Sequence, residues 1–182
     1  HRSNAFTQGL IYYQEQLFES TGHYGQSSIS QININSGETI QHRALNKSVF
    51  GEGITIWNNE LIQLTWKSGQ VYRYSLPDFS LQQTQTLSGE GWGLTHNHES
   101  LISSNGSAQL SFRDPLSLAV QSTLDVTYLG RPLKNLNELE WVNGCILANI
   151  WQSPYIAIID PSSGQTTGLI DLGRIEIGRA HV

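Results

Sequence analysis

Short runs of alternating polar and apolar residues fill the chain, and this alternation predicts β-strands. Gln70–Ser75 alternates polar with apolar side chains, and residues 155–160 form a nearly continuous β-branched run. Turn-forming pairs such as Asn58-Asn59 and Asp114-Pro115 separate the runs. No window keeps the 3.6-residue apolar period of an amphipathic helix. The chain is therefore predicted to be all-β, with short antiparallel strands and tight polar turns.

One pattern of residues recurs four times along the chain. Each copy has two strand-like segments: 6–10 with 16–22, 51–55 with 60–66, 91–95 with 100–106, and 137–141 with 145–151. Equivalent anchor positions, spaced 44, 40 and 45 residues apart, are Gly9, Gly53, Gly93 and Glu138. Units of ~40–45 residues are typical of the four-stranded blades of a β-propeller. A β-sandwich or an open meander also uses short strands, but neither explains a repeat in register.

The two ends of the chain suggest that it is a partial propeller. A propeller closes its ring, so four units predict at least one further blade outside this chain. The chain starts at His1 and has no methionine, so an N-terminal piece with any signal peptide is expected to be missing. The last seven residues resemble the translation of a DNA sequencing adapter. We therefore expect a partial propeller over residues 1–175 and a non-native tail over residues 176–182.

Composition and charge argue against several classes of function. Charged residues make up 14% of the chain and the formal net charge is −5, with no run of basic residues. A surface for nucleic acid or for an anionic membrane is therefore not expected. The apolar stretches are far shorter than the ~20 residues of a membrane-spanning helix, so no membrane insertion is predicted. The single cysteine and the six histidines show no metal-ligand spacing, so no metal site is predicted.

The repeat also predicts which residues meet, because equivalent positions of a propeller converge at one mouth of its channel. The residues just before the four anchors are large or polar: Gln8, Glu52, Trp92 and Asn137. Thirteen residues after an anchor, two blades carry a tryptophan, Trp66 and Trp151. Together they predict an aromatic mouth around one carboxylate, that of Glu52. Two plainer interpretations stay open: the tryptophans could pack between blades, and Glu52 could be a solvated turn residue.

Several stretches, in order across nearly the whole chain, resemble the glutamine cyclotransferases of plant and bacterial type. They are residues 6–10, 19–25, 50–55, 64–67, 89–94 and 136–141, followed by 149–151. The resemblance implies a five-bladed β-propeller, of which about four blades are present in this chain. It also implies the activity of the family, the conversion of N-terminal glutamine to pyroglutamate with release of ammonia.

The resemblance assigns site residues by position. The catalytic acid of the family falls on Glu52, and its pocket residues fall on Phe6, Gln8, Phe50, Trp66, Trp92, Asn137 and Trp151. Glu52 is then expected to act as general base toward the attacking α-amine and next as general acid toward the departing ammonia. The aromatic residues are expected to exclude water and to raise the pKa of Glu52 toward neutrality. A pocket lysine of the family is expected to lie in the last blade, beyond the end of this chain.

The resemblance has further implications for ligands and location. It implies no cofactor and no metal, peptide or protein substrates with N-terminal glutamine, a monomer, and export to the periplasm or the cell exterior. Two other classes stay open. A non-catalytic β-propeller could bind a peptide or a sugar in the aromatic channel mouth. A metal-dependent hydrolase of the lactonase type needs several oxygen ligands around a calcium-like ion, and a ring with one carboxylate fits it least.

Overall fold

The computed structural model describes residues 5–173, and every regular element in this range is a β-strand. The strands are β1 (Thr7–Tyr13), β2 (Gln16–Thr21), β3 (Ser28–Asn33), β4 (Thr39–Ala44), β5 (Gly51–Trp57), β6 (Glu60–Thr65), β7 (Gln70–Ser75), β8 (Leu81–Thr86), β9 (Leu94–His96), β10 (Leu101–Ser103), β11 (Gln109–Arg113), β12 (Val120–Asp125), β13 (Thr127–Tyr128), β14 (Arg131–Pro132), β15 (Leu136–Val142), β16 (Cys145–Ile150), β17 (Tyr155–Ile159) and β18 (Thr166–Asp171). Residues 176–182, expected to be a non-native tail, lie outside the described range. Within residues 5–173, no helix has the length and apolar character needed to cross a membrane.

The strands form four antiparallel sheets of four strands each, and the strands of each sheet pair in chain order. The sheets are β1–β4, β5–β8, β9–β12 and β15–β18, while β13 and β14 form a separate hairpin. This is the topology of propeller blades, so the prediction of an all-β chain with four blades is confirmed. The two segments of each sequence repeat are the first two strands of a blade.

The chain divides into two compact units, His1–Trp92 and Gly93–Val182, and each contains two blades. The core of the first unit combines side chains of both its blades, such as Phe18, Ile54 and Phe79. The core of the second unit is built in the same way, with Leu110 and Ile146 among its members. The fourth strand of a blade is polar and mostly exposed, as in β8 and β12, because it is the outer edge of the sheet.

The turn between the first and second strands uses two successive residues with positive φ in three blades. These pairs are Gln14-Glu15 (48° and 62°), Asn58-Asn59 (48° and 66°) and Asn143-Gly144 (49° and 81°). Two left-handed residues in succession form a type I′ turn, whose twist matches that of the flanking strands. Asparagine and glycine favour this turn, so Asn58-Asn59 is recognisable in the sequence. Gln14-Glu15 adopts the same geometry without that signal.

The turn between the third and fourth strands recurs in all four described blades. A backbone N–H donates to the carbonyl four residues earlier at 2.8–2.9 Å, and the donor residues are Gly37, Phe79, Leu118 and Gly164. All four donors have positive φ, between 50° and 72°. Phe79 and Leu118 are only 1% and 4% exposed. Burial of a large apolar side chain contributes ~2 kcal/mol, which offsets the ~1–2 kcal/mol cost of a left-handed residue.

The first strand of three blades contains a β-bulge next to the anchor position. The residues that the strand ladder skips are Gln8, Glu52-Gly53 and Asn137-Glu138. In the third blade the pairing begins only at Leu94, directly after Trp92 and Gly93. A bulge bends its strand and redirects a side chain. In every blade, the residue just before the anchor position therefore lies outside the regular strand pairing.

The anchor glycines lie where the first strands of two consecutive blades approach each other. In the first unit, a Cβ atom added to Gly9 would lie 2.8 Å from the backbone nitrogen of Ile54. In the second unit, a Cβ atom added to Gly93 would overlap with the carbonyl oxygen of Asn137. Only glycine allows backbones to come this close. The glycines of the sequence repeat thus reflect the packing of one first strand against the next.

Candidate active site

Glu52 lies in the bulge of β5 and is almost completely buried. Its side chain is 4% exposed and forms a hydrogen bond with the side chain of Gln8. Burial raises the pKa of Glu52 to about 9, the Gln8 hydrogen bond lowers this pKa, and the negative charge of Glu90 raises it further. The carboxyl group therefore keeps its proton at neutral pH. Because Glu52 is a buried strand residue, its interpretation as a solvated turn residue is wrong.

The glycines on both sides of Glu52 let neighbouring backbone approach closely. A Cβ atom added to Gly51 would lie 2.6 Å from the carbonyl oxygen of Thr21. The N–H of Gly53 donates to the carbonyl oxygen of Trp92 at 2.7 Å. These contacts fix the backbone of the bulge from two sides. The Gly51-Glu52-Gly53 sequence is therefore explained by tight packing around a rigidly placed carboxyl group.

A second carboxylate, that of Glu90, joins two of the predicted pocket tryptophans. Its Oε2 atom accepts a hydrogen bond from Nε1 of Trp66 at 2.8 Å and another from Nε1 of Trp92 at 3.0 Å. Trp66 directly follows β6, and Trp92 precedes β9. The Nζ atom of Lys67 lies 4.1 Å from the ring centroid of Trp66, a cation–π distance. Three charged or polar contacts thus orient the indoles.

Aromatic rings surround Phe50, the residue just before β5. The ring centroids of Phe6, Tyr24 and Trp66 lie 6.1, 5.6 and 5.6 Å from that of Phe50, in edge-to-face arrangements. His23 packs on Phe6 with a centroid distance of 4.4 Å. Such pairs are a favourable geometry for aromatic groups. We call these five residues, Phe6, His23, Tyr24, Phe50 and Trp66, the aromatic cluster.

Gly22 makes room for Phe50. A Cβ atom added to Gly22 would overlap with the Phe50 ring. The N–H of Gly22 donates to the carbonyl oxygen of Phe6 at 2.8 Å. Gly22 and Trp66 are equivalent in the sequence repeat, and the N–H of Trp66 donates in the same way to the carbonyl oxygen of Phe50 at 3.0 Å. The lack of a side chain at Gly22 therefore leaves space for the Phe50 ring of the following blade.

The structure brings six of the eight sequence-predicted site residues into the first unit: Phe6, Gln8, Phe50, Glu52, Trp66 and Trp92. Asn137 and Trp151 belong to the second unit. Asn137 occupies the bulge of β15, and its Oδ1 atom is buried without a hydrogen bond to any described residue. Trp151 directly follows β16 in the last described blade and is 44% exposed. The assignment of all eight to one substrate pocket stays a prediction.

Glu90 is the functional candidate that reasoning from residue types missed. It lies three residues before the anchor Gly93, as Phe6 and Phe50 lie three residues before Gly9 and Gly53. The repeat register therefore marks the position, but a carboxylate among aromatic residues was not expected there. A single carboxylate was predicted in this region, but a second one, that of Glu90, lies near enough to raise the pKa of Glu52.

Within residues 5–173, no group of three or more His, Cys, Asp and Glu side chains could hold a metal ion.

Comparisons of the sequence identify relatives over the whole chain. A sequence profile of the family described as glutamine cyclotransferase matches residues 1–181. The glutaminyl-peptide cyclotransferase of Arabidopsis thaliana is 36% identical over 180 residues, covering 98% of this chain and 56% of the plant protein. The chain thus spans about half the length of this curated relative.

Comparisons of the fold lead to the same group of proteins. The crystal structure of Myxococcus xanthus glutaminyl cyclase matches with a TM-score of 0.88 at 38% identity, covering 95% of this chain and 73% of the other. A protein of unknown function from Bacteroides caccae matches with a TM-score of 0.68 at 16% identity, covering 91% and 66% of the two chains, and shows the fold alone. On the strength of the sequence profile and of the Arabidopsis and Myxococcus relatives, this chain belongs to the glutamine cyclotransferase family.

Proposed function

We propose that the protein is a glutaminyl-peptide cyclotransferase, which converts the N-terminal glutamine of peptides or proteins to pyroglutamate and releases ammonia. Family membership supports the reaction, and the buried carboxyl of Glu52, which is hydrogen-bonded to Gln8 and has a strongly raised pKa, is the observation that carries its mechanism. The substrate class and a location outside the cytoplasm follow the family resemblance, as does a monomeric state. The reaction needs no cofactor in this scheme.

The reaction requires a group that can act both as a proton donor and as a proton acceptor. The neutral α-amine attacks the carbonyl carbon of its own γ-amide, which closes a five-membered ring. The amide nitrogen is a poor leaving group unless it gains a proton, and the new ring nitrogen must lose one. A single carboxyl that faces both nitrogens can therefore carry the proton from one to the other.

The raised pKa of Glu52 sets the order of these transfers. With a pKa of about 9, Glu52 enters the reaction protonated at neutral pH. It donates this proton to the amide nitrogen as the ring closes and the bond to ammonia breaks. The resulting carboxylate then takes the proton of the ring nitrogen, which regenerates the starting acid. The order is acid first and base second, the reverse of the order expected from the sequence.

Other residues of the proposed pocket suit this chemistry. The aromatic cluster provides apolar surface against which a curled glutamine side chain can lie without water, and this lowers the entropic cost of ring closure. The hydrogen bond from Gln8 fixes the orientation of the Glu52 carboxyl. Asn137, whose Oδ1 atom is buried and accepts no hydrogen bond from a described residue, is the further amide that the family resemblance assigns to the substrate.

The test is ammonia release from a glutaminyl dipeptide, with the product identified by mass spectrometry. We expect release by the wild-type protein and a loss of 100-fold or more for Glu52→Gln, about the contribution of general acid–base catalysis. Glu99→Gln is the matched control, because Glu99 is an exposed turn residue between β9 and β10. It makes the same exchange of a carboxyl for an amide and is expected to leave the rate unchanged.

The outcome also separates an enzyme from a binding protein. If the folded wild-type protein releases no ammonia but binds a glutaminyl dipeptide or a sugar, the aromatic cluster serves ligand binding and the proposed activity is wrong. Glu52→Gln would then change the affinity only modestly, since a protonated carboxyl and an amide have similar size and polarity.

A further inference from the structure

Glu90 receives two hydrogen bonds on a single oxygen atom, and both come from tryptophans. The distances from Oε2 to Nε1 of Trp66 and of Trp92 are 2.8 and 3.0 Å. An indole has only one polar hydrogen, so each ring uses its whole hydrogen-bonding capacity on this carboxylate. Hydrogen bonds to an ionised acceptor are about twice as strong as neutral ones. The two rings are thereby tied to each other through a third side chain.

The backbone around Glu90 is fixed on both sides. The N–H of Gly91 donates to the carbonyl oxygen of Trp66 at 3.3 Å, and the carbonyl oxygen of Trp92 accepts from Gly53 at 2.7 Å. A Cβ atom added to Gly91 would lie 3.1 Å from Leu64 and from Leu87. Glu90 therefore has little freedom to move away from the indoles. A carboxylate held in this way can act as a rigid support for both rings.

We propose that Glu90 is a positioning residue, whose carboxylate holds the indoles of Trp66 and Trp92 as two walls of the substrate pocket. This inference rests on the proposed cyclotransferase activity, because it concerns the same pocket. Nothing in it requires contact between Glu90 and the substrate. Its effect reaches the substrate through the position of the two rings and through the electrostatic potential at Glu52.

The electrostatic part follows from the groups that face Glu52. Gln8 on β1 donates a hydrogen bond, and Glu90 contributes a negative charge. Other charged or titratable groups that contact the aromatic residues are Lys67 on the Trp66 ring, and His23 and Tyr24 on the Phe50 ring. Removal of the Glu90 charge should therefore lower the pKa of Glu52 and leave its burial unchanged.

Two variants separate the hydrogen bonds from the charge. Glu90→Gln keeps the size of the side chain and an oxygen acceptor but removes the charge. Glu90→Asp keeps the charge but shortens the side chain, so it pulls the acceptor away from the indoles. Glu99→Gln in its exposed turn again serves as the control for loss of one negative charge.

The first readout is the indole N–H region of a proton–nitrogen NMR spectrum, in which the five tryptophans give five signals. We expect the two signals assigned to Trp66 and Trp92 to move in both Glu90 variants, since their acceptor weakens or withdraws. The other three signals should keep their positions, which shows that the variants are folded. The control should leave all five signals in place.

The second readout is the pH dependence of ammonia release from a glutaminyl dipeptide. For Glu90→Gln we expect KM to rise about tenfold, as for the loss of one charge-assisted hydrogen bond, with a smaller change in kcat. The alkaline limb of kcat/KM should move to lower pH in this variant, because Glu52 then loses its proton more easily. Glu90→Asp should raise KM but keep the alkaline limb of the wild type.

The outcomes distinguish this inference from the activity on which it rests. A folded wild-type protein without ammonia release overturns both. An active wild type whose Glu90→Gln variant keeps its KM and its alkaline limb overturns the positioning inference alone. Movement of the indole signals without any kinetic change has the same meaning, because the bonds would then hold the fold and not the pocket.

Discussion

At the scale of single residues, the proton on Glu52 links the proposed chemistry to the stability of the fold. In the folded protein this carboxyl keeps its proton up to a pH of about 9, while an unperturbed glutamate ionises near 4.5. Between these two pH values the folded state binds one proton more than the unfolded state. Stability from this group is therefore complete below about pH 4.5 and is lost as the pH rises toward 9.

We predict that Glu52→Gln stabilises the protein relative to wild type, and more strongly at pH 8 than at pH 5. The amide does not titrate, so the variant escapes a cost of up to ~1.4 kcal/mol for each pH unit in this range. For a chain of this size, 1 kcal/mol corresponds to about 2–4 °C in Tm. Thermal unfolding of both proteins at several pH values measures the difference, and a difference that does not grow with pH would contradict the raised pKa.

Gly22 leads to a second prediction at this scale. Gly22→Ala places a methyl group in the volume of the Phe50 ring, so Phe50 must move. We expect a loss of about 1–3 kcal/mol in the free energy of unfolding and a higher KM for a glutaminyl dipeptide. Gly25→Ala is the control, because a Cβ atom there meets no atom within 4 Å. Its positive φ lowers stability by about 1 kcal/mol, but KM should stay the same. Equal KM values for the two variants would refute the link from Gly22 to the pocket.

The sequence contains enough information to place Glu52 but too little to show what Glu90 does. Glu52 repeats the register of Gln8 and Asn137, and in each case that register is a bulge in a first strand. The Glu90 bonds join side chains that are 24 and 2 residues away along the chain. Such contacts depend on side-chain rotamers, and spacing along the sequence does not determine rotamers.

At the scale of elements, the close approach of first strands decides which glycines can change. Gly93→Ala would push a methyl group against the backbone carbonyl of Asn137, which cannot move without shifting β15. We predict a loss of about 3 kcal/mol in the free energy of unfolding. Gly168→Ala in β18 is the control, because its Cβ atom would lie 3.3 Å from the flexible end of Ile158. It should change stability by less than about 0.5 kcal/mol.

Chemical denaturation of the two glycine variants provides the measurement. Equal midpoints for Gly93→Ala and Gly168→Ala would show that the first strands can separate at little cost. The same comparison explains why glycine recurs at three of the four anchors.

The elements themselves were predictable, because strand alternation and the repeat follow directly from local chemistry. The left-handed residues Phe79 and Leu118 were not, because only their burial in the core compensates for that conformation.

At the scale of the whole molecule, four copies of one blade made the fold predictable. Each blade packs against its neighbours in the same way, so similar residues recur at equivalent positions. The repeat therefore identifies the class of fold. The side chains expected to carry the chemistry differ between the blades, since each blade has a different group just before its anchor position. Function therefore had to be inferred from the differences between the blades, and the fold from their similarity.

The distribution of ligand groups over the molecule leads to a prediction about metals. Within the described residues, no cluster of three or more His, Cys, Asp and Glu side chains is suited to an ion. We expect ammonia release from a glutaminyl dipeptide to be unchanged after dialysis against EDTA. Mock-dialysed protein is the control. A large loss of activity that one divalent metal restores would contradict the proposed mechanism and favour a metal-dependent hydrolase.

The shared acceptor of Trp66 and Trp92 has a consequence for anyone who wishes to redesign the pocket. Substitution of either tryptophan alone leaves the Glu90 carboxylate with half of its partners, and substitution of Glu90 alone leaves two indoles without an acceptor. The effects of single changes will therefore not add up. A library that varies the three positions together can therefore find combinations that reshape the pocket. Selection of one substitution at a time would reject the single variants, because each of them disrupts the shared hydrogen bonds.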